Sequence, residues 1–158
     1  MDRFVTAFLK ASLVWLGLGV SAGVAIAVHP QWAVYRAAHL HMNLLGFVAM
    51  MIFGVALHVM PRFTGHPLYS RRLAVVQWWL ANGGLAMFVA GFVLRPHVAL
   101  GMPVRILLAA GGTMSAASAY AFIYNLWRTI DGKAPSRASV RGTSAPATAP
   151  VLHRLSRS

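Results

Sequence analysis

Two histidines stand near opposite ends of one long apolar run, and each has an arginine about one helical turn away. Arg36 comes three residues before His39, and Arg62 comes four residues after His58. Ionisable side chains within a membrane span are costly and usually functional. Imidazole is a common iron ligand, and arginine pairs well with carboxylates such as the propionates of a haem. The pattern therefore predicts haem binding, with His39 and His58 as candidate ligands. Arg36 and Arg62 would then pair with the propionates.

The spacing of the two histidines excludes a shared metal ion. His39 and His58 are 19 residues apart, which is about 28 Å along an ideal helix. Either each histidine serves its own haem at its own membrane face, or His58 only marks the end of the helix. We expect one haem per chain, bound on the His39 side.

Helical phase separates His39 from its neighbour His41. At about 100° per residue, His39 shares a stripe with other small, polar or apolar residues, and we place that stripe in the bundle interior. It contains Asn43, Gly46, Met50 and Leu57. Gly46 would let a flat macrocycle approach the helix backbone. His41 falls on a stripe that we expect to face lipid, which favours an interfacial position. The other residues of that stripe are Leu44, Leu45, Val48, Ile52 and Val55. An His-x-His copper pair stays open as an alternative, since such a pair can converge where a helix start is unwound.

The second axial ligand of a haem at His39 has two candidates in this chain. His97 and His29 end the third and first apolar runs and lie on the same side as His39. A two-fold homodimer is the other source, with a ligand supplied by the second copy. Small residues at four-residue spacing in the last apolar run would suit such close helix contacts, although they would equally suit packing within one chain. These residues are Gly111, Ser115 and Ala119.

The composition removes several kinds of chemistry. With no cysteine, iron–sulfur clusters, disulfides, thiolate catalysis and covalent c-type haem attachment are excluded. Any haem is therefore held non-covalently, and we expect b-type haem. The two acidic residues, Asp2 and Asp131, lie outside the apolar runs, which argues against a carboxylate-driven ion pump. Copper is the alternative cofactor, because imidazole and thioether groups suit it. Its candidate ligands are His29, His39, His41, His97, Met42 and Met102.

Hydropathy predicts the elements that position these residues. The chain has 158 residues, of which 58% are hydrophobic and 10% charged, and its apolar runs approach or exceed the roughly 20 residues that span a bilayer. We predict an all-α integral membrane four-helix bundle over residues 1–130. A tail at 131–158, rich in Gly, Ser, Ala, Pro and Arg, is expected to be disordered. The four predicted helices cover residues 5–28, 36–60, 72–94 and 104–128.

The positive charges are distributed in a way that predicts topology. Of the 14 Lys and Arg residues, Arg36, Arg95 and Arg105 flank the outer ends of the predicted helices, and the other eleven lie at the opposite ends or in the tail. This asymmetry places both termini in the cytoplasm, as expected for a multi-pass protein of the cell (inner) membrane. No nucleic-acid motif accompanies the net charge of +12, so we expect contacts with anionic membrane lipids and no nucleic acid.

Two segments of the second apolar run carry a family resemblance. They are Arg36-Ala-Ala-His-Leu-His-Met-Asn-Leu-Leu-Gly-Phe47 and Ile52-Phe-Gly-Val-Ala-Leu-His-Val-Met-Pro-Arg-Phe63. Together they resemble small membrane proteins related to subunit I of haem–copper oxidases, in the branch of C-type cytochrome c oxidases and nitric oxide reductases. The match is confined mainly to residues 35–70. In that superfamily the second helix carries a low-spin haem histidine near its outer end, and the resemblance implies this role for His39.

The departures from that superfamily limit the expected function. The full subunit takes its copper ligands and its other haem ligands from later helices, and this chain has no His-Pro-Glu-Val-Tyr segment. We therefore expect an electron carrier or a haem protein that binds a small gaseous ligand, working with a respiratory redox partner, rather than an autonomous oxidase or reductase. The alternatives are a copper-binding or assembly membrane protein and a non-catalytic subunit of a respiratory complex.

Overall fold

The computed structural model describes residues 2–98 and 101–133, and within these ranges the chain is helical. Four stretches are long and apolar enough to cross a membrane, which confirms the predicted all-α membrane bundle. The second stretch is continuous but changes character along its length: a 3-10 turn, then α2, then a π-helical segment, then α3. In chain order the elements are α1 (Arg3–Val28), the 3-10 turn (Pro30–Tyr35), α2 (Arg36–His41), the π-helical segment (Met42–Ala49), α3 (Met50–Thr64), α4 (Arg71–Leu94) and α5 (Met102–Ile130).

The end of the second span lies beyond the predicted boundary near residue 60. Pro61 lies inside α3, and the helix continues to Thr64. Proline removes one backbone hydrogen bond, but membrane helices tolerate this where side chains or neighbours satisfy the freed groups. Gly65, with φ of 69°, then ends the helix in the left-handed conformation that glycine adopts without steric cost.

The core of the bundle lies between α1, α3 and α4. Phe8 of α1, Met50 and Leu57 of α3, and Leu85 of α4 are almost fully buried and belong to one hydrophobic cluster. This agrees with the predicted interior stripe of the second span, since Met50 and Leu57 lie on it. Of the residues predicted to face lipid on that span, Leu44, Val48, Ile52 and Val55 are largely exposed. Leu45 is an exception, because it packs against the core cluster.

Glycines hold α4 and α5 in backbone contact. A Cβ atom added at Gly84 would lie 2.8 Å from the Ser115 nitrogen and 2.9 Å from the Gly111 oxygen. A Cβ at Gly111 would in turn lie 2.8 Å from the Gly84 oxygen. The small residues of the last span therefore form a helix contact within the chain, which is the intramolecular alternative given above. These contacts do not support a homodimer, which stays a prediction.

The bundle has two distinguishable ends, which we call the His39 end and the His58 end. At the His39 end, the 3-10 turn meets the segment that follows α4 through a hydrogen bond between the Tyr35 hydroxyl and His97. At the His58 end, the Ser70 and Asn125 groups exchange hydrogen bonds of 3.0 and 2.9 Å that tie the start of α4 to the end of α5. The predicted tail at 131–158 lies, beyond residue 133, outside the described part of the chain.

Candidate functional site

His39 is fixed by the backbone of a neighbouring span. It lies in the last turns of α2, and its Nδ1 atom is 2.8 Å from the carbonyl oxygen of Gly19 in α1. A carbonyl only accepts hydrogen bonds, so Nδ1 carries the proton and donates it. In the neutral ring Nε2 then holds the lone pair. Among residues 2–98 and 101–133 Nε2 has no hydrogen-bond partner, so the ring presents the nitrogen that a metal ion requires.

Two glycines one turn apart give the His39 ring its place against α1. A Cβ at Gly23 would lie 2.8 Å from Cε1 of His39, and a Cβ at Gly19 would lie 2.6 Å from the Asn43 amide nitrogen. Real Cβ atoms do not approach this closely, so both positions require glycine. Asn43 also donates to the backbone oxygen of His39 at 2.9 Å, which braces the same helical turn.

The ring of His39 lines a cavity of about 440 Å³ at the His39 end. This volume falls within the range of about 300–1,000 Å³ that is usual for ligand sites. Trp32 and Tyr35 of the 3-10 turn contribute aromatic walls, and most of the remaining lining is aliphatic. The other lining residues are Ala22, Ala25, Ile26, Ala38, Met42 and Val93. Such a wall suits a flat apolar ligand held by one polar atom.

His97 and His29 each contact one of the aromatic residues that line the cavity. The Nε2 atom of His97 is 2.5 Å from the Tyr35 hydroxyl, and the two rings stack with centroids 5.9 Å apart. The His29 ring packs against Trp32, with centroids 4.8 Å apart. Both histidines are exposed. The structure therefore brings His29, His39 and His97 to one end, as predicted, with only His39 inside the cavity.

His41 does not face lipid as the helical phase predicted. Its ring packs against Phe88 and Phe92 of α4, with centroid distances of 5.1 and 4.8 Å. The prediction failed because α4 lies across this side of α2, and helical phase alone cannot show where a neighbouring span sits. The Nδ1 atom of His41 lies 2.8 Å from the Ala37 oxygen, so Nε2 of this ring also keeps its lone pair.

Gly46 has a different role from the predicted one. A Cβ at this position would lie 2.5 Å from Cβ of Trp15 and 2.9 Å from a methyl group of Leu85. Side chains of α1 and α4 therefore fill the space that was assigned to a macrocycle. Gly46 also lies in the π-helical segment, whose wider turns are rare and often occur beside functional sites.

The two arginines of the predicted haem sites are both exposed. Arg36 lies at the start of α2, one turn from His39 and next to the cavity residue Tyr35. At the opposite end, Arg62 donates to the backbone oxygen of His58 one turn earlier, so it caps its own helix. His58 is half-buried. The His39 end thus joins a histidine, a cavity and a nearby cation, whereas the described contacts of Arg62 are made within α3.

A polynuclear or multi-histidine metal centre is not formed in the described ranges. No three histidine or acidic side chains of residues 2–98 and 101–133 come together as a metal-holding group. The rings of His29 and His97 contact Trp32 and Tyr35, and the ring of His41 packs against Phe88 and Phe92. No three histidines of the predicted copper set therefore converge within these residues. One imidazole with a free lone pair in an apolar cavity is an arrangement that a haem can use.

Comparison with known proteins places this chain in a family. The family of cytochrome C and quinol oxidase polypeptide I matches residues 31–133, which include the second, third and fourth spans. The chain belongs to this family. The match extends beyond the predicted residues 35–70 into the third and fourth spans.

Three curated members of the oxidase polypeptide I family illustrate how far the similarity reaches. The Cbb3-type cytochrome c oxidase subunit CcoN1 of Stutzerimonas stutzeri is 24% identical over 82% of this chain and 33% of its own length. Cytochrome c oxidase subunit 1 of Rhodobacter capsulatus is 24% identical over 78% of this chain and 27% of its own. The cytochrome c oxidase subunit 1 homolog of Agrobacterium tumefaciens (strain T37) is 25% identical over 85% and 28% respectively. The chain spans about a third or less of these relatives.

Several residues of the site in this oxidase-family chain escaped sequence reasoning. Gly19 and Gly23 were recognisable only as a small-residue edge, since the sequence does not show which side chain such an edge receives. Tyr35 and Trp32 were not predicted as site residues, because aromatic residues near a helix start are usual at membrane interfaces. Their position just before α2 was the one available signal.

Proposed function

We propose that this integral membrane protein binds b-type haem at the His39 end and uses it for electron transfer or for binding a small gaseous ligand. His39 would be an iron ligand through Nε2. The observation that carries this proposal is the hydrogen bond between Nδ1 of His39 and the Gly19 oxygen, at 2.8 Å. Metal-binding histidines generally donate their other ring nitrogen to a carbonyl or carboxylate, which fixes the tautomer and the ring orientation.

Besides the tautomer of His39, the chemical character of the cavity lining suits a haem. Aliphatic and aromatic side chains supply an apolar wall, and Trp32 and Tyr35 offer flat faces. Arg36 is the cation that would pair with a propionate at the aqueous edge. A bound haem supplies a one-electron couple and, where one axial position is open, a site for a diatomic gas. The protein's own groups hold the imidazole, exclude water and neutralise the propionate charge.

The second axial position has candidates behind the cavity wall. We propose His97, whose Nε2 would have to exchange its hydrogen bond with the Tyr35 hydroxyl for the iron, with His29, which packs against Trp32, as the alternative. Histidine at both positions would favour a low-spin electron carrier, and a single histidine would favour gas binding. A ligand from a second copy or from another subunit is the remaining source.

Membership of the oxidase polypeptide I family supports a redox role beside respiratory partners. Since the chain spans about a third of its relatives, a non-catalytic subunit of a respiratory complex is the second candidate function. A copper-binding or assembly role has less support, because no three candidate ligands among the described residues converge. We place the protein in the cell (inner) membrane with both termini in the cytoplasm, which the positive-charge asymmetry supports.

An absorption spectrum of the purified protein, with iron and copper counts, tests these functions together. The haem proposal expects a Soret band, sharp α and β bands on reduction, and about one iron per chain, as for a single b-type centre. Copper without haem absorption would establish the copper alternative instead. A colourless protein without either metal, even after incubation with haemin, would contradict haem binding and leave the subunit role.

A further inference from the structure

A compact aromatic and cationic cluster lies at the His58 end, away from the haem cavity. The guanidinium carbon of Arg128 in α5 is 5.1 Å from the ring centre of Tyr69 and 5.9 Å from that of Tyr124. The two tyrosine hydroxyls are 3.5 Å apart. The Nε–H group of Arg128 is buried and has no hydrogen-bond partner among the residues that the structure describes. The cluster therefore contains a buried hydrogen-bond donor that lacks an acceptor among the described residues.

The cluster lies at the level where lipid head groups are expected. Tyr120, Tyr124 and Trp127 are 71%, 51% and 67% exposed along the last turns of α5. Exposed tyrosine and tryptophan at the end of a membrane span mark the boundary between hydrocarbon and head groups. Arg128 lies two residues before the end of α5, so we expect its guanidinium group at the depth of the lipid phosphates.

The charges of this end favour an anion. Its two carboxylates are already paired, Asp2 with Arg71 at 3.3 Å and Asp131 with Lys133 at 3.1 Å. In the described ranges the Arg128 guanidinium has no carboxylate partner. The remaining exposed cations at this end, Arg3, Arg62 and Arg72, add positive potential. Such basic surfaces at membrane-span ends attract anionic lipids.

We propose that Arg128, with the hydroxyls of Tyr69 and Tyr124, binds the phosphate of an anionic phospholipid. A guanidinium group recognises phosphate through paired N–H donors, and the tyrosine hydroxyls add directional hydrogen bonds.

The electrostatics of Tyr69 agree with this assignment. Tyr69 lies in the connection between α3 and α4, outside the membrane spans. Its hydrogen bond with Tyr124 and the nearby Arg128 guanidinium hold the pKa of the Tyr69 phenol below its ordinary value. The guanidinium charge that contributes to this shift would also attract a phosphate oxygen.

Binding to purified, delipidated protein in detergent tests the site, with phosphatidylglycerol as probe and phosphatidylcholine as the zwitterionic comparison. Native mass spectrometry should show one tightly retained phosphatidylglycerol, with phosphatidylcholine retained more weakly. Arg128→Gln should weaken phosphatidylglycerol binding by roughly tenfold, as expected when one charge-assisted contact is lost. Arg72→Gln removes the same charge from an exposed position at the same end and should leave binding within about twofold, as for a screened surface charge.

Two further variants keep the result interpretable. Arg128→Lys retains the charge and the fold but loses the planar fork, so it should also lose affinity. The double variant Tyr69→Phe, Tyr124→Phe should weaken binding while preserving both rings. Equal losses in Arg72→Gln and Arg128→Gln would overturn the site in favour of diffuse attraction. Equal retention of phosphatidylcholine would overturn the preference for an anionic lipid, and competition by millimolar inorganic phosphate would identify a free-phosphate site instead.

Discussion

The Nδ1 atom of His39 lies 2.8 Å from the carbonyl oxygen of Gly19, so a backbone group of α1 fixes the tautomer of a side chain in α2. The carbonyl has only lone pairs to offer, and the proton on Nδ1 leaves Nε2 as the basic nitrogen. This contact joins two spans at the level of the cavity. It is therefore both a packing contact and a means of preparing the imidazole to bind a metal.

Replacing His39 with Ala should remove the haem while the spans stay inserted. Insertion depends on hydropathy, whereas the proposed iron bond depends on one nitrogen. We expect haem per chain to fall from about one to a small fraction, measured by the pyridine haemochromogen method. His41→Ala is the matched control, because it removes a second imidazole with a free Nε2 from the same helix. Loss of haem only in His41→Ala would move the site to the Phe88 and Phe92 side.

Replacing Gly23 with Ala should weaken haem binding without touching a ligand. The new methyl group would lie 2.8 Å from Cε1 of His39 and push the ring away from the Gly19 carbonyl. Loss of such an orienting contact typically costs about 10- to 100-fold in metal affinity. Gly17→Ala is the control, since a Cβ there meets nothing within 4 Å. Haemin titration followed by the Soret band measures both variants, and equal affinities would argue against the role of the Gly19 contact.

Replacing His97 with Ala should change the spin state of the bound haem. If His97 is the second axial ligand, its loss opens a position, and the reduced protein should gain carbon monoxide binding together with a high-spin spectrum. Tyr35→Phe removes only the hydroxyl partner of His97 and should keep the low-spin spectrum. His29→Ala tests the alternative in the same way. An unchanged spectrum in both histidine variants would mean that the ligand comes from elsewhere.

Replacing Gly84 with Ala should destabilise the packing of α4 on α5. The added methyl group would meet backbone atoms of Gly111 and Ser115 below 3 Å, and backbone cannot move aside cheaply. Overpacking of this kind typically costs about 1–3 kcal/mol. The neighbouring Gly83→Ala is a close control, because its Cβ meets only the flexible end of Met114. Thermal unfolding in detergent should show a lower midpoint for Gly84→Ala alone.

The orientation of the spans is testable in this cysteine-free chain. We expect the loop that contains His66 to lie in the cytoplasm and the turn that contains Gln31 to lie outside, because the basic residues concentrate at the His58 end. In intact cells a membrane-impermeant thiol reagent should label Gln31→Cys and spare His66→Cys. Both should react after the cells are lysed. The reverse pattern in intact cells would place the haem site on the cytoplasmic face.

The sequence by itself determined the four membrane spans, because a run of apolar residues about 20 long has one low-energy form in lipid. It also determined which stripe of the second span is buried at Met50 and Leu57, since helical periodicity is a local property. Neither periodicity nor charge could predict that Phe88 and Phe92 cover His41, or that Trp15 fills the space at Gly46. Those contacts depend on where α1 and α4 cross the second span.

The tertiary structure alone decided how the histidines are arranged. The sequence singled out His39 but left His29 and His97 as equivalent imidazoles at the same membrane face. In the folded bundle the Gly19 carbonyl holds His39 in the cavity, while Trp32 and Tyr35 keep the other two rings behind its walls. A hydrogen bond acts over about 3 Å. Such contacts join residues up to 62 positions apart in the chain, and they distinguish the proposed ligand from its neighbours. The composition of a single segment could not have done so.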